Sequence, residues 1–424
     1  MMNSQDSTEL QNPATQPARP PERIDAATAL LARQLAPILL CDKNEPFEPV
    51  VVGISHLKRG ESSPSFQRLN PFTHAPNRTY TILEYAIWWN GDIEHLYELD
   101  HVWIYLNENN SPIHITASAH GEMIDISQTN WQDRQIRLFC EPGKHALTPT
   151  SAEIIKRREW LDQVCSGSDN VSGFQIPAEF GDHMSFLTPY DYFLARDYLK
   201  GKRFTPSYSF EKSLDLSKVP FMSWDELKMF IPRLLRDQSE ELRKNKKGIK
   251  AVLLDSGDTL IDEGTRIYSE DRENLVLAAR SIETSRDLLK GLKERGYLIA
   301  LVADGLEQSF HNVLKKNGFW DYFDAISISE NCGITKPSPR IFIEALMQLG
   351  LRREDTNNII MLGDNLSRDI CGANALGITS VWLDWSPRQE KSPREDLEKP
   401  DHTISRPIEL LQIIDQLEGE ETID

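Results

Sequence analysis

From Ile249 onward, short apolar runs alternate with stretches of helical periodicity, and this alternation constrains the fold more than any other feature of the chain. Gly296, Gly318 and Gly350 each follow a helical stretch, as expected of residues that end a helix in the left-handed conformation. Strands that alternate with helices are joined by right-handed crossovers. Residues 249–415 are therefore predicted to form an α/β domain with a doubly wound parallel sheet. The predicted strands are AVLLDSG, LIALVADG, AISISE, IIMLGD and SVWLDW.

The first half of the chain has a different pattern. Residues 25–222 contain short runs rich in β-branched and aromatic residues, separated by turn residues, which predicts a mostly-β domain that we interpret as a β-sandwich. Ser223 and Glu226 have the spacing of a capping box, so residues 223–248 are predicted to be a helix and linker. The polar residues 1–24 and the acidic residues 416–424 are predicted to be a disordered tail and a solvated tail.

Charge and cysteine content exclude several classes of protein. The formal net charge is −18, which argues against nonspecific binding to nucleic acid or anionic membranes. The five cysteines are widely spaced with no CxxC pair, which argues against a disulfide framework. Long apolar segments and an N-terminal signal core are both lacking, so we expect a cytoplasmic protein without a membrane span.

Carboxylates follow two of the predicted strands. Asp255 and Asp258 follow the first strand, and Asp364 and Asp369 follow the fourth, while Lys336 lies in a third loop. Ligands of a doubly wound sheet bind at the carboxyl ends of its strands, and clustered carboxylates suit Mg²⁺. A metal, a carboxylate nucleophile and an ammonium group together favour phosphoryl transfer through an aspartyl-phosphate. For any one aspartate alone, helix capping is an equally good explanation.

The motifs LLDSGDTL, KPSPRIF and GDNLSRDICGANALGI resemble those of the haloacid dehalogenase (HAD) superfamily of phosphohydrolases. The resemblance implies that Asp255 is the nucleophile, that Lys336 is the cation beside the phosphate, and that Asp255, the Gly257 carbonyl, Asp364 and Asp369 hold Mg²⁺. Two positions depart from the family. Gly257 stands where the family has its acid–base aspartate, with Asp258 as the substitute, and Ala303 stands where it has a phosphate-binding Ser or Thr. The intervening segments are too short for a large cap, so the domain is expected to be capless.

Eight of the ten histidines precede residue 190, which suggests a second metal site. Glu98 and Asp100 project from one face of a strand, and with His120 and His145 they are predicted to bind a second divalent cation. The segments ELDH, SAHG and GKHA resemble the β-sandwich family of necrosis-inducing toxin-like proteins and vacuolar-sorting relatives, which implies the same four ligands. A cluster of aromatic residues in this half is interpreted as core rather than as a binding platform. It comprises Trp88, Trp89, Trp103 and Tyr105.

The leading hypothesis is a Mg²⁺-dependent HAD-like phosphatase with an accessory β-sandwich. Its partner would be a phosphorylated substrate, either a small molecule or a macromolecule. Two alternatives stay open: a HAD-like domain that has become a binding module, and hydrolase chemistry at the His and carboxylate cluster of the first half. The physiological substrate and the oligomeric state are left open by the sequence.

Overall fold

The computed structural model describes residues 23–420 except 67–69, 128–134, 168–170, 176–177 and 247. Nearly all of the predicted tail over residues 1–24 lies outside the described residues, as do residues 421–424. The described residues before 224 contain four α-helices and ten strands. The helices are α1 (Ala26–Leu35), α2 (Ser151–Ile155), α3 (Arg158–Gly167) and α4 (Pro189–Lys200). The strands are β1 (Ile38–Cys41), β2 (Pro49–Lys58), β3 (Thr81–Trp89), β4 (Glu98–Leu106), β5 (Pro112–Ala119), β6 (Glu122–Asp125), β7 (Arg137–Cys140), β8 (Leu147–Thr148), β9 (Lys212–Asp215) and β10 (Phe221–Ser223).

These strands form two sheets, which confirms the β-rich prediction for the first half. The larger has the order β10-β2-β3-β4-β5-β6 and is antiparallel except between β10 and β2. The smaller has the order β8-β7-β1-β9. All nine residues of β3 are buried, since apolar side chains cover both faces of the larger sheet. The four predicted core aromatics are at most 1% exposed, so their assignment to the core is confirmed.

Helix α5 (Trp224–Asn245) leads into the second half of the chain. The Ser223 hydroxyl accepts from the N–H of Glu226 at 3.1 Å, and the Glu226 carboxylate accepts from the N–H of Ser223 at 3.1 Å. The predicted capping box is therefore confirmed. It satisfies two backbone donors that the first turn of a helix otherwise leaves unpaired.

The second half is built on a six-stranded parallel sheet with the order β15-β14-β11-β16-β17-β18. Numbered within this sheet alone, the order is 3-2-1-4-5-6, that of a doubly wound sheet whose topological switch point lies between β11 and β16. The fold class predicted for this half is confirmed, and Gly296, Gly318 and Gly350 have the expected positive φ angles of 82°, 67° and 77°. The strands are β11 (Ala251–Leu254), β12 (Ile267–Tyr268), β13 (Val276–Ala278), β14 (Leu298–Ala303), β15 (Ala325–Ile328), β16 (Ile359–Gly363), β17 (Thr379–Leu383) and β18 (His402–Ile404). The helices are α6 (Ser285–Glu294), α7 (Glu307–Lys316), α8 (Ser329–Cys332), α9 (Pro339–Leu349), α10 (Cys371–Asn374) and α11 (Leu410–Glu420).

The predicted domain boundaries differ from the packing at two places. Helix α4 lies within residues 25–222, but its Tyr190, Phe193 and Leu194 join the core beneath the parallel sheet. Arg243 of α5 also connects the two halves, because it donates to Asp191 at 2.8 Å and to the Gly350 carbonyl at 3.0 Å. The proposed acidic tail begins inside α11, which continues to Glu420.

Strand β18 and the hairpin β12–β13 were not predicted, because such short strands contain no sustained apolar run. Ile267 and Tyr268 of β12 are in fact exposed. This hairpin is the only pair of strands between β11 and β14, a segment that the structure describes in full, and isolated β-bridges join Ile261 to Gly257 and to Ser281. No cap domain interrupts the segment. Among the described residues, no helix has the length and apolar character needed to cross a membrane.

Candidate active site

The two central strands of the parallel sheet place the predicted site residues at one edge. Leu254 of β11 pairs with Leu362 of β16, so the residues that follow these strands emerge side by side. The N–H of Asp255 donates to the Leu362 carbonyl at 3.0 Å, which extends the pairing by one step. Asp364 follows β16, and its carbonyl accepts from the Trp382 indole at 2.9 Å. This is the crevice in which doubly wound sheets bind ligands.

Three carboxylates converge here. Asp255, Asp364 and Asp369 each offer an oxygen, and these oxygens lie within 4.8 Å of one another. Asp369 is held by the N–H of Asn365, which donates to its carboxylate at 3.0 Å. A side chain at Gly363 would collide with Asp369, since an ideal Cβ there lies 2.3 Å from the Asp369 Cγ. Glycine at this position is therefore required for the close approach.

Lys336 completes the cluster. Its ammonium group lies 2.5 Å from Asp255 Oδ1 and 2.7 Å from Asp369 Oδ1, and it donates to the Val302 carbonyl at 2.9 Å. Burial alone would lower the pKa of Lys336, but the carboxylates of Asp255 and Asp369 raise it well above its usual value. The lysine is thus a fixed positive charge against the predicted nucleophile.

The remaining negative charge is not balanced by the protein. Burial and the neighbouring charges of Asp255 and Asp369 raise the pKa of Asp364 to about 9. Burial raises the pKa of Asp369 to about 6 even though Lys336 opposes the shift. In addition, Asp364 Oδ2 is buried with no hydrogen-bond partner. A group bound here would have to be a cation that accepts oxygen ligands.

These residues fit Mg²⁺. Its oxygen ligands lie about 2.1 Å from the ion, so two of them are about 3 to 4 Å apart, a spacing compatible with the observed cluster. Mg²⁺ binds to one or two carboxylates together with water and phosphate oxygens, which suits a sparse site open to a cavity. The orphaned Asp364 oxygen would then gain a partner.

Asp258 is placed differently from the other predicted residues. It has a left-handed backbone (φ 49°), which aspartate tolerates, and its carboxylate is fully buried. Ser386 donates to it at 2.6 Å, and Arg388 donates to its two oxygens at 2.9 and 2.5 Å. Asp258 is not among the described residues that line the cavity beside Asp255. Its predicted role as the substitute acid is therefore not favoured by the geometry.

A cavity of about 80 Å³ adjoins the carboxylates, and it is lined by Asp255, Gly257, Lys336 and Asp369 among others. Glu263 and Asp304 also line it, as they do a neighbouring cavity of about 170 Å³. Ala303 lies buried at the end of β14, and because it is an alanine it has no hydroxyl group to donate to a phosphate. Sequence reasoning missed Glu263. The available signal was the acidic Asp262-Glu263-Gly264 turn shortly after the predicted nucleophile.

The four residues predicted to form a second metal site do not form one cluster. Glu98 and Asp100 lie two residues apart on β4, opposite Trp89 and Ile87, so they share a face of the strand as expected, and burial and the charge of Asp100 raise the pKa of Glu98. However, His120 Nε2 lies 2.9 Å from Glu141 and also contacts Arg157. His145 stacks on Trp89 with ring centroids 3.9 Å apart. His145 Nε2 also lies 3.3 Å from Glu45, so each imidazole contacts a carboxylate outside the predicted set. The prediction of a second cation at Glu98, Asp100, His120 and His145 is unsupported.

A different trio in this half brings potential ligands together. Asp92, Glu94 and His95 lie within 4.8 Å of one another, one of two such groups among the described residues. Lys144 already forms ion pairs with Asp92 and with Glu94, the latter at 3.0 Å. An ammonium group therefore already occupies this trio and offsets one of its two negative charges. Its Asp-x-Glu-His spacing was the signal that sequence reasoning passed over.

Comparison with known proteins is consistent with the site. A family model described as haloacid dehalogenase-like hydrolase matches residues 208–383. Glyceraldehyde 3-phosphate phosphatase of Methanopyrus kandleri is 37% identical over 129 residues, covering 30% of this chain and 54% of the relative. Phosphoserine phosphatase of Thermus thermophilus is 35% identical over 98 residues, covering 23% of this chain and 38% of the relative. A HAD phosphatase structure from Thermococcus onnurineus is 21% identical with a TM-score of 0.32, covering 39% of this chain and 98% of that one.

The matches have a limited extent. The chain spans about half the length of the first curated relatives it matches, at 54%, 57% and 49%. The family model begins at residue 208, so it lends no support to the resemblance of the first half to toxin-like proteins. The toxin-like resemblance is therefore unsupported.

Proposed function

We propose that this chain, whose residues 208–383 match the haloacid dehalogenase-like hydrolase family model, is a divalent-metal-dependent phosphatase that hydrolyses phosphomonoesters. One observation carries the proposal. Asp255, Asp364 and Asp369 meet within 4.8 Å at the switch point of the sheet, and Lys336 lies against two of them. Helix capping requires no such convergence of three carboxylates and a lysine from three separate loops.

In the proposed reaction, an oxygen of the Asp255 carboxylate attacks phosphorus while the bond to the leaving oxygen breaks. Lys336 contacts Oδ1 of this carboxylate, and we assign the attack to Oδ2, which accepts only a long hydrogen bond from the Thr259 hydroxyl at 3.4 Å. Mg²⁺ held by Asp255, Asp364, Asp369 and, as the sequence predicts, the Gly257 carbonyl would supply positive charge to the phosphoryl oxygens. Water then attacks phosphorus, the Asp255–phosphorus bond breaks, and inorganic phosphate leaves.

The size of the site favours a small phosphorylated molecule as substrate. The cavity beside Asp255 is about 80 Å³, room for a phosphoryl group, and the adjoining cavity of about 170 Å³ would hold the rest. We further propose that the β-rich first half is an accessory domain. Its helix α4 packs beneath the parallel sheet, so the two halves are joined through a shared apolar core.

A binding module without turnover is the second candidate. The observation that favours it is the commitment of Asp258 to Arg388 and Ser386, together with Gly257 at the usual acid–base position. Such a domain would still bind a phosphorylated ligand, since Lys336 and the metal-binding carboxylates do not depend on Asp258.

The test is hydrolysis of p-nitrophenyl phosphate by the full chain across a Mg²⁺ titration. We expect turnover that EDTA abolishes. Asp364→Asn should need a higher Mg²⁺ concentration for the same rate, because it removes one metal ligand. Asp321→Asn, at an exposed aspartate, is the matched control and should behave as wild type. If the wild type hydrolyses no phosphomonoester across a broad panel, the binding module is the better account.

A further inference from the structure

Glu263 occupies the space that a side chain at Gly257 would fill. An ideal Cβ built on Gly257 lies 2.1 Å from Glu263 Oε1 and 2.8 Å from its Cδ. Residue 257 is two positions after the proposed nucleophile. The Glu263 carboxyl group therefore occupies the position that the Cβ of a side chain at residue 257 would take, and it lines the same cavity as Asp255 and Lys336.

The other carboxyl groups of this cavity have different partners. Asp364 and Asp369 belong to the metal-binding cluster. Asp304 accepts from the backbone N–H of Lys336 at 3.0 Å and lies 3.5 Å from Arg368, so it braces the loop that carries the lysine. Glu263 forms an ion pair with Arg266 through Oε1, and its side chain lies on the cavity wall.

We infer that Glu263 is the proton donor and acceptor of the hydrolysis, an inference that rests on the proposed phosphatase function. As the Asp255–phosphorus bond forms and the bond from phosphorus to the leaving oxygen breaks, the Glu263 carboxyl transfers its proton to that oxygen and an alcohol leaves. The Glu263 carboxylate then takes a proton from the attacking water as the Asp255–phosphorus bond breaks. Inorganic phosphate is released, and both carboxyl groups return to their starting states.

The dependence of the rate on the leaving group distinguishes proton transfer by Glu263 from a structural role of that residue. A p-nitrophenolate leaves without a proton, whereas an alkoxide requires one. We expect Glu263→Gln to lower kcat/KM for glycerol phosphate by on the order of 10²- to 10⁴-fold, and for p-nitrophenyl phosphate far less. kcat/KM is the correct quantity because it reports the steps through leaving-group departure. Glu283→Gln, at an exposed glutamate, is the control for the change in charge and should leave both values unchanged.

A relocated carboxyl group gives the second arm of the test. Gly257 does not have a left-handed φ, so an L side chain is compatible with its backbone. Glu263→Ala should lose glycerol phosphate hydrolysis, and the double variant Gly257→Asp/Glu263→Ala should recover it, since the new side chain enters the vacated space.

Equal losses on the two substrates in Glu263→Gln, or no loss on either, would overturn the inference while leaving the phosphatase function standing. A folded double variant, checked by circular dichroism, that recovers no activity would count against it as well. If the double variant does not fold, the substrate ratio of Glu263→Gln decides. A wild type inactive on both substrates would instead refute the proposed function, and this inference with it.

Discussion

Lys336 offers the deepest test of the electrostatics of the site. Its side chain is 3% exposed, and its ammonium group lies 2.5 and 2.7 Å from two carboxylates. Lys336→Met keeps most of the side-chain volume and removes the charge. The variant therefore leaves three clustered carboxyl groups with no internal cation.

The expected loss of stability follows from the burial of this pair. Breaking a buried ion pair by removing one partner costs about 3 to 5 kcal/mol. The variant can limit the loss if Asp369 takes up a proton, because without the lysine its pKa rises further above the unfolded value. A folded-state pKa that is raised stabilises at low pH and destabilises as pH rises. The deficit should therefore grow as pH rises above about 6, where Asp369 of the wild type ionises but Asp369 of the variant still holds its proton, by up to about 1.4 kcal/mol per pH unit.

Hydrogen exchange of the amides in β11 and β16 measures this loss locally, because these strands carry the site residues. Lys315→Met is the control: Lys315 pairs with Asp321 at the surface, and its loss should cost at most about 1 kcal/mol. Mg²⁺ should protect Lys336→Met more than wild type, since the ion replaces part of the missing charge. A loss no larger than that of the control, with no dependence on pH, would refute the reasoning.

Three further predictions concern other parts of the molecule. Asp258→Ala should lower the free energy of unfolding in urea by about 1.5 to 3 kcal/mol, because it leaves the Arg388 guanidinium without the Asp258 carboxylate as a partner. It should change kcat/KM for aryl and alkyl phosphates by equal factors, and a selective loss on alkyl phosphates would contradict this. Burial lowers the pKa of His101 to about 3, so the free energy of unfolding should fall as pH drops below about 6.5, where the unfolded chain takes up a proton that the folded chain does not. Thermal melts of His101→Gln should lack this part of the pH dependence, and an unchanged pH profile would contradict the prediction. Gly363→Ala should weaken Mg²⁺ binding measured by calorimetry, because the new methyl group displaces Asp369; unchanged affinity would count against the required close approach.

The sequence was sufficient to predict the site where local patterns determine position. Apolar runs identified β11 and β16, and the parallel arrangement follows from the alternation with helices. The carboxyl ends of parallel strands share one edge, so the meeting of Asp255 and Asp364 could be predicted without coordinates. The same reasoning predicted the glycine helix ends, which depend only on a residue and its immediate neighbours.

Contacts between distant segments could not be predicted in this way. Asp258 is held by Arg388, a partner 130 positions further along the chain. The His120 imidazole contacts Glu141 and Arg157. Strand alternation predicts that Glu98 and Asp100 share one face of β4, but it could not predict these contacts of His120. These arrangements depend on how loops pack, and a single sequence carries no periodic signal for that.

Trapping of the aspartyl-phosphate tests the central claim most directly. Wild-type chain mixed with substrate and Mg²⁺ should be quenched during turnover and treated with borohydride, which reduces an acyl phosphate to the alcohol, so that mass spectrometry can locate the modified residue. We predict modification at Asp255 that requires both substrate and Mg²⁺ and is absent from Asp255→Asn. Rapid hydrolysis by wild type with no modification at Asp255, or undiminished hydrolysis by Asp255→Asn, would contradict the assignment of Asp255 as the nucleophile.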